Sequence, residues 1–140
     1  MDNNNFEIGD RKFKVSKINA MKQFHIVRRI GPILGEMMPA IQKIAKSKEQ
    51  LSQEEQLEHA AEFVTPIMNG LSRLSDKDAD FVLFSLLAAV EINQDGAWSK
   101  LVVNDNLMFD MLGLPVLLQA AGRAFMYNMT GFFGALRQSS

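Results

Sequence analysis

Apolar and charged residues alternate at the start of the chain. The segments Phe6-Glu7-Ile8 and Phe13-Lys14-Val15 place an apolar residue at every second position, and Gly9-Asp10 lies between them. This period of two, interrupted by a turn, is typical of a β-hairpin with one buried face. We therefore predict a hairpin over residues 6–17. Because an isolated hairpin is marginally stable in water, a third strand or a helix has to cover its apolar face.

Helical periodicity replaces this alternation from Asn19 onward. Asn19 is a suitable N-cap, and Pro32 predicts a break or kink in the helix because proline removes a backbone hydrogen bond. After the polar residues 46–50, Ser52-Gln53-Glu54-Glu55 matches a capping box and predicts the start of a second helix. The apolar residues of the first helix recur at steps of three and four or their multiples, as one helical face requires: Met21, Phe24, Val27, Leu34, Met37, Ile41 and Ile44.

The middle of the chain predicts a helix, a turn and a strand. Ser75, followed by acidic residues, indicates a helix N-terminus. Residues 81–90 are apolar on nearly every side, which is typical of a central helix covered by the others. Asn93-Gln94-Asp95-Gly96 predicts a turn. Residues 98–103 are the candidate third strand for the hairpin, because they contain two adjacent valines, which favour extended structure.

The end of the chain is predicted to be helical. Residues 107–112 indicate a short helical piece that Gly113 closes, and Pro115 suits the first turn of a last helix. We therefore predict a predominantly α-helical α+β fold, in which a small N-terminal sheet of three strands packs on about five helices. We expect one domain over residues 1–140, with the hairpin at 6–17 and a helical body at 19–136.

The composition is that of a folded globular protein. The chain has 140 residues, of which 47% are hydrophobic and 22% charged, and this balance differs from that of disordered proteins. The chain contains no cysteine, which excludes disulfides, thiolate nucleophiles and cysteine-ligated zinc. The first five residues do not look like a signal peptide, so we expect the protein to stay in the compartment where it is made.

The charges are distributed unevenly along the chain. Up to Lys48 there are ten Lys/Arg and four Asp/Glu, a net charge of +6, whereas the remainder has five Lys/Arg and twelve Asp/Glu, a net charge of -7. The basic first third could attract an acidic partner, and oppositely charged ends could dock copies of the chain head to tail. The alternative is a solvated surface whose charges happen to segregate.

Residues with catalytic or metal-binding chemistry are scarce. His59 follows Glu55 by one helical turn, but the Glu-x-x-His pattern of a bundle metal site would need a carboxylate where Gln56 stands. Glu91 to Gly96 resembles the start of an EF-hand loop, yet its twelfth position is Val102 and not Glu. No serine lies in a Gly-x-Ser-x-Gly sequence. We therefore expect no enzyme activity, no metal and no cofactor.

The last helix has two interpretations. Its apolar face could be ordinary core, or it could bind a partner helix or a second copy of the chain, because Met and Phe side chains adapt to different partners. Gln119 and Arg123, near its middle, argue against a membrane span. The candidate partner-binding residues are Leu118, Phe125, Met126, Met129, Phe132 and Phe133.

Five segments together resemble the phage tail assembly chaperones of tailed phages. They follow in the same order along nearly the whole chain: Glu7 to Phe13, Met21 to Ile30, Asp95 to Trp98, Leu107 to Phe109, and Asn128 to Phe133. The resemblance implies a protein without catalytic activity that binds the long tape measure protein in the host cytoplasm. It also implies help for the tail tube protein, which polymerises around the tape measure protein, and a tendency to self-associate.

A second function stays open beside this one. A small phage or bacterial regulator could use the basic first third to bind nucleic acid or an acidic protein. No nucleic-acid-binding motif accompanies the basic residues, so nucleic acid is the less favoured partner. Phosphate-driven binding weakens steeply as salt rises, whereas apolar helix binding does not, so salt dependence would separate the two functions.

Overall fold

The computed structural model describes residues 4–46, 65–109 and 112–139, with side chains described as far as residue 39 in the first helix and residue 129 in the last. The helices are α1 (Ala20–Lys46), α2 (residues 65–71 of the described part), α3 (Asp76–Leu87) and α4 (Leu114–Ser139). The strands are β1 (Asn5–Ile8), β2 (Arg11–Val15), β3 (Val90–Gln94), β4 (Ala97–Lys100), β5 (Val102–Val103) and β6 (Asn106–Leu107).

The N-terminal hairpin is present and belongs to an antiparallel sheet. Strands β1 and β2 pair with Ile8 opposite Arg11, so that Gly9 and Asp10 form a two-residue loop. Gly9 has φ 64°, a conformation that glycine adopts at little cost at the first position of a hairpin loop. Phe6 lies opposite Phe13, and their rings stack with centroids 5.2 Å apart. Both rings are buried, and they belong to the part of the core that the sheet provides.

Residues 98–100 and 102–103 are strands as predicted, but they are not the third strand beside the hairpin. The strand beside the hairpin is β3, whose Val90 lies opposite Val15, and the sheet has four strands in the order β1-β2-β3-β4. Residues 98–100 belong to β4, at the far side of β3, and residues 102–103 form β5 in a separate two-stranded sheet. Strand β3 shares only Val90 with the apolar run 81–90, and its alternation is short, with Val90 and Ile92 buried on either side of Glu91. The apolar run before it favours a helix that extends through Val90.

The predicted number of helices is also wrong. The described residues contain four helices, not about five, together with two sheets of four and two strands. A short helix is expected at 107–112, but its first residue, Leu107, belongs to strand β6. Asn104 and Asp105 both have positive φ, as the type I′ turn between two strands requires. The predicted capping box at 52–55 lies outside the described residues.

The predicted break in α1 does not occur. Asn19 caps the helix as expected, because its Oδ1 accepts a hydrogen bond of 2.8 Å from the backbone N–H of Lys22. The helix then continues through Pro32 and Pro39. Both prolines are exposed, so that water can satisfy the carbonyls that lose an N–H partner.

The core lies between the helices and one face of the four-stranded sheet. Helix α4 contacts both α1 and α3, and it also contacts β2 and β3. Ala120 and Ala124 are fully buried in α4, and their small side chains permit close approach of the neighbouring elements. The largest fully buried side chains are Phe13, Phe125, Ile26, Ile30, Ile92, Leu101, Leu118, Met129 and Val90.

Arg123 ties α4 to the sheet. The guanidinium carbon of Arg123 lies 5.4 Å from the centroid of the Phe6 ring. Burial lowers the pKa of Arg123 below its ordinary value, because a low-dielectric surrounding disfavours the charged form. Its aliphatic stem therefore covers apolar surface while its charged end faces an aromatic ring.

Candidate protein-binding surface

Three of the six predicted partner-binding residues are core residues of the monomer. Leu118 and Phe125 are each 2% exposed, and Met129 is 1% exposed. Met126 is half-buried and packs against the core. Phe132 and Phe133 lie within α4, but their side chains fall outside the described ones. A role of these six residues in partner binding stays a prediction.

A small apolar cavity lies beside these buried residues. Its volume is about 30 Å³, and its lining has no polar surface. Ligand pockets for small molecules are typically about 300–1,000 Å³, so we interpret this cavity as a gap in helix packing. The cavity is lined by Ile30, Met37, Ile67, Leu71, Val82, Leu83, Leu86, Leu118, Ala121, Gly122 and Phe125.

The most exposed large apolar side chains of the described residues lie at the start of α1. Met21 is 65% exposed and Phe24 is 56% exposed. The helix buries Ile26, Ile30 and Ile33 on its other side. The sequence assigned Met21 and Phe24 to the same apolar face as the buried Met37, and the structure separates them. The apolar residues of α1 are thus divided between a core-facing side and an outward-facing side.

We use the name outer α1 face for Met21, Phe24, Arg28, Gly31 and Gly35. All five are exposed, and their spacing of three, four and seven residues places them along one side of the helix. A Cβ atom built on either glycine would meet no heavy atom within 4 Å. The face is therefore an open side of α1 on which no described residue packs at the glycines.

An aromatic chain holds Phe24 against the rest of the fold. Its ring lies edge-on to the His25 ring with centroids 5.3 Å apart, and the His25 ring lies edge-on to Phe81 of α3 at 6.5 Å. Such edge-to-face arrangements are favourable because the positive ring edge meets the negative ring face. Phe24 is thus exposed but supported.

An ion pair fastens the same region of α1 to α3. The Arg29 Nε donates a hydrogen bond of 3.0 Å to Asp78 Oδ1, and its guanidinium carbon lies 4.0 Å from the centroid of the Phe81 ring. Ser75 caps α3 as predicted, because its hydroxyl accepts a hydrogen bond from the Asp78 backbone N–H at 3.1 Å. The cap, the ion pair and the ring contact together fix the start of α3 beside α1.

The chain segment that contains the outer α1 face is basic, although the start of α3 beside it carries Asp76 and Asp78. Residues 11–35 contain seven Lys/Arg and no Asp or Glu. Arg29 is paired with Asp78, and the Lys14 ammonium lies 4.6 Å from the centroid of the Trp98 ring. Arg28 donates from Nε to His25 Nδ1 at 3.0 Å, which leaves its other N–H groups for solvent or a partner. The helix N-terminus adds positive potential to this region.

The described residues do not form a metal-binding cluster. His25 contacts two phenylalanines and an arginine, and no three His, Asp or Glu side chains in the described ranges lie close enough to hold a metal ion. The EF-hand-like segment is the β3–β4 turn, in which Asn93 Oδ1 accepts a hydrogen bond of 2.9 Å from Gly96 N. His59 lies outside the described residues. No helix in the described part is long and apolar enough to cross a membrane.

The sequence also matches a known protein family. A family model described as phage tail assembly chaperone protein, TAC, matches residues 9–139. The match covers nearly the whole chain, and the chain therefore belongs to this family, as the resemblance predicted. Neither a curated protein nor a solved structure matches the chain.

Proposed function

We propose that this tail assembly chaperone binds the tape measure protein and assists assembly of the tail tube around it. Membership of the family over residues 9–139 is the observation that carries the proposal. The protein acts without catalysis, in the cytoplasm of the infected host, and it associates with further copies of itself. Tail tube protein is a second partner.

The exposed apolar side chains support binding to other proteins. Met21, Phe24, Met68 and Met108 are exposed large hydrophobic residues in the described part of the chain. Methionine is unbranched and polarisable, so that one surface can pack against many apolar sequences. A tape measure protein is long, and a chaperone that binds many of its segments needs such adaptability.

The last helix contributes partner contacts from its exposed side and its end. Leu118, Phe125 and Met129 are buried in the core, so they contact a partner only if α4 moves. Met126 is half-buried and can contribute without such a movement. We extend the proposed contact to Phe132 and Phe133 because they follow on the same helix.

Co-expression tests this function. The chain carries an affinity tag and is produced together with the tape measure gene of its source phage or prophage. We expect the tape measure protein to be soluble and to co-purify in the presence of the chain, and to be insoluble without it. Co-purification of tail tube protein tests the second partner. A tape measure protein whose solubility does not depend on the chain would contradict the proposal.

A regulator that binds nucleic acid is the second candidate. The run of seven Lys/Arg without an acidic residue at positions 11–35 favours it. Binding to phosphates releases counterions, so that the affinity for DNA would fall steeply between low and physiological salt. Co-purification of nucleic acid at low salt, in the absence of any tail protein, would favour the regulator over the chaperone.

A further inference from the structure

We propose that the outer α1 face is the docking site for an acidic amphipathic helix of a partner protein. This inference rests on the proposed function, because that function supplies the partner protein. It adds the surface that is used and the chemistry of the segment that is recognised.

Met21 and Phe24 are exposed apolar side chains that a partner could cover. Phe24 and Met21 are 56% and 65% exposed, and they lie one turn apart at the start of α1. Aromatic residues are enriched among the side chains that dominate binding energies. The Phe24 ring makes an edge-on contact with the His25 ring, and the His25 ring makes an edge-on contact with Phe81. A supported ring loses less conformational entropy on binding than a free one.

Charge complementarity identifies the partner. Arg28 lies on the outer α1 face one turn beyond Phe24, and Lys17 and Lys22 lie at the same end of the helix. Residues 11–35 contain no carboxylate, and no acidic side chain among the described residues forms an ion pair with Arg28, whereas Asp78 of α3 pairs with Arg29. A partner helix with acidic residues beside its apolar stripe would complement both features, since potentials of opposite sign steer and orient association.

The shape of the face permits close approach of a helix. Gly31 and Gly35 continue the line of Phe24 and Arg28, and their exposed backbone has open space where side chains would stand. Residues 21–35 span about 20 Å of helix, which is enough for three turns of a partner. Glycine destabilises a helix interior relative to alanine, and no described residue outside its chain neighbours approaches the Cβ position of Gly35 closely enough to require glycine there.

Two designed peptides test this proposal directly. Both carry leucines at helical steps of three and four, and the remaining positions are glutamate in one and lysine in the other. Binding is measured by fluorescence anisotropy at physiological salt on the full chain. We expect the glutamate peptide to bind and the lysine peptide not to bind. Equal binding of the two peptides, or no binding of the glutamate peptide, would overturn the proposal.

Substitutions locate the binding site. Phe24→Ala removes the aromatic anchor, Arg28→Gln removes the charge, and Gly35→Gln fills the open space with a good helix former. We expect Phe24→Ala and Gly35→Gln each to weaken glutamate-peptide binding about tenfold or more, a loss typical of central interface residues. Gly35→Gln is expected to raise the melting temperature at the same time, so that its loss of binding cannot be explained by unfolding. Unchanged affinity in both variants would contradict the proposed surface.

Matched controls lie elsewhere on the fold. Met108 is 54% exposed, so Met108→Ala removes an exposed apolar side chain away from α1. Lys100 is exposed on β4, so Lys100→Gln removes one positive charge as Arg28→Gln does. Both controls should bind the glutamate peptide as the unmodified chain does. Losses equal to those of the α1 variants would overturn the assignment to this face.

If the outer α1 face binds something other than an acidic helix, the same measurements give different results. A dimer that Gly35→Gln dissociates, without binding of the glutamate peptide, would show that the face binds a second copy. DNA binding that Arg28→Gln weakens, without peptide binding, would show a nucleic-acid site. Either result overturns the proposal. If the tape measure protein is kept soluble equally by the unmodified chain and by Phe24→Ala with Gly35→Gln, the chaperone function stands and this inference fails. If the glutamate peptide binds but the tape measure protein does not, the proposed function fails and the docking face stands.

Discussion

The backbone N–H of Ile18 donates a hydrogen bond of 2.6 Å to the side-chain Oδ1 of Asn128, across 110 positions of sequence. The Asn128 amide nitrogen in turn donates to the carbonyls of Ser16 and Ala124, at 3.2 and 3.0 Å. Gln23 donates to the Ile18 carbonyl at 2.9 Å. The last helix therefore holds the segment between β2 and α1, and this contact sets where α1 begins relative to the sheet.

Removal of the Asn128 side chain should destabilise the protein. Asn128→Ala leaves the N–H of Ile18 buried without its acceptor, and an unsatisfied buried polar group costs about 1–3 kcal/mol. We expect the urea midpoint to fall by a corresponding amount with the slope unchanged. Asn106→Ala is the control, because Asn106 is exposed and its side-chain amide donates to the nearby carbonyl of Asn104. An equal loss of stability in both variants would show that the Asn128 hydrogen bonds stabilise the fold no more than an exposed hydrogen bond does.

The same substitution at two phenylalanines should change the free energy of unfolding by very different amounts. Phe125 is fully buried and Phe24 is exposed. Phe125→Ala should lower the free energy of unfolding by about 3–5 kcal/mol, as large-to-small core substitutions do. Phe24→Ala should change it by less than about 1 kcal/mol. Chemical denaturation followed by circular dichroism measures both, and a large loss in Phe24→Ala would show that its ring is structural.

Two glycines in helices should also differ. A Cβ on Gly70 would lie 2.6 Å from Met37 Cγ, whereas one on Gly35 would meet nothing within 4 Å. Gly70→Ala should destabilise the fold by about 1 kcal/mol, because methionine can yield only part of the space. Gly35→Ala should stabilise it by about 0.5–1 kcal/mol through helix propensity. Thermal unfolding gives the sign of each change, and a stabilising Gly70→Ala would contradict the close contact between α1 and α2.

The β3–β4 turn should require glycine. Gly96 has φ 92° and Asp95 has φ 52°, so that both turn residues lie in the left-handed region. Gly96→Ala should lower the free energy of unfolding by about 1–2 kcal/mol, because an L side chain is strained there. Gly113→Ala, where the Cβ would make an ordinary contact of 3.7 Å with Pro115, should be close to neutral. Equal effects of the two substitutions on the urea midpoint would rule out turn strain as the cause.

Arg29 and Asp78 should be energetically coupled. Their side chains join α1 to α3 in a partly exposed position, where ion pairs contribute up to about 1 kcal/mol. A double-mutant cycle with Arg29→Ala and Asp78→Ala should give a coupling energy of that size, which decreases as salt screens the charges. The exposed pair of Arg73 and Glu36 is the comparison and should show weaker coupling. A coupling of zero for Arg29 and Asp78 would contradict their role in fixing α3 beside α1.

Local features were largely predictable from the sequence. The caps at Asn19 and Ser75 and the turn at Asp95-Gly96 depend on the chemistry of a few adjacent residues. The N-terminal hairpin follows from an alternation that only a two-sided strand explains. The family resemblance likewise rests on segments that can be read along the chain, and the family model confirmed it.

The partners of each element were decided only by the tertiary structure. The short alternation Val90-Glu91-Ile92 suits a strand, but nothing near Val90 shows that this strand pairs with Val15, because the choice of a partner strand depends on residues far away in the chain. Phe24 and Phe125 both recur at helical spacing, but burial depends on which side of each helix meets the core, and this is a non-local property. The sequence therefore determined the hairpin, the caps at Asn19 and Ser75, the β3–β4 turn and the family, whereas packing between distant segments determined the four-stranded sheet, the burial of Leu118 and Phe125 in the last helix, and the exposed face of α1.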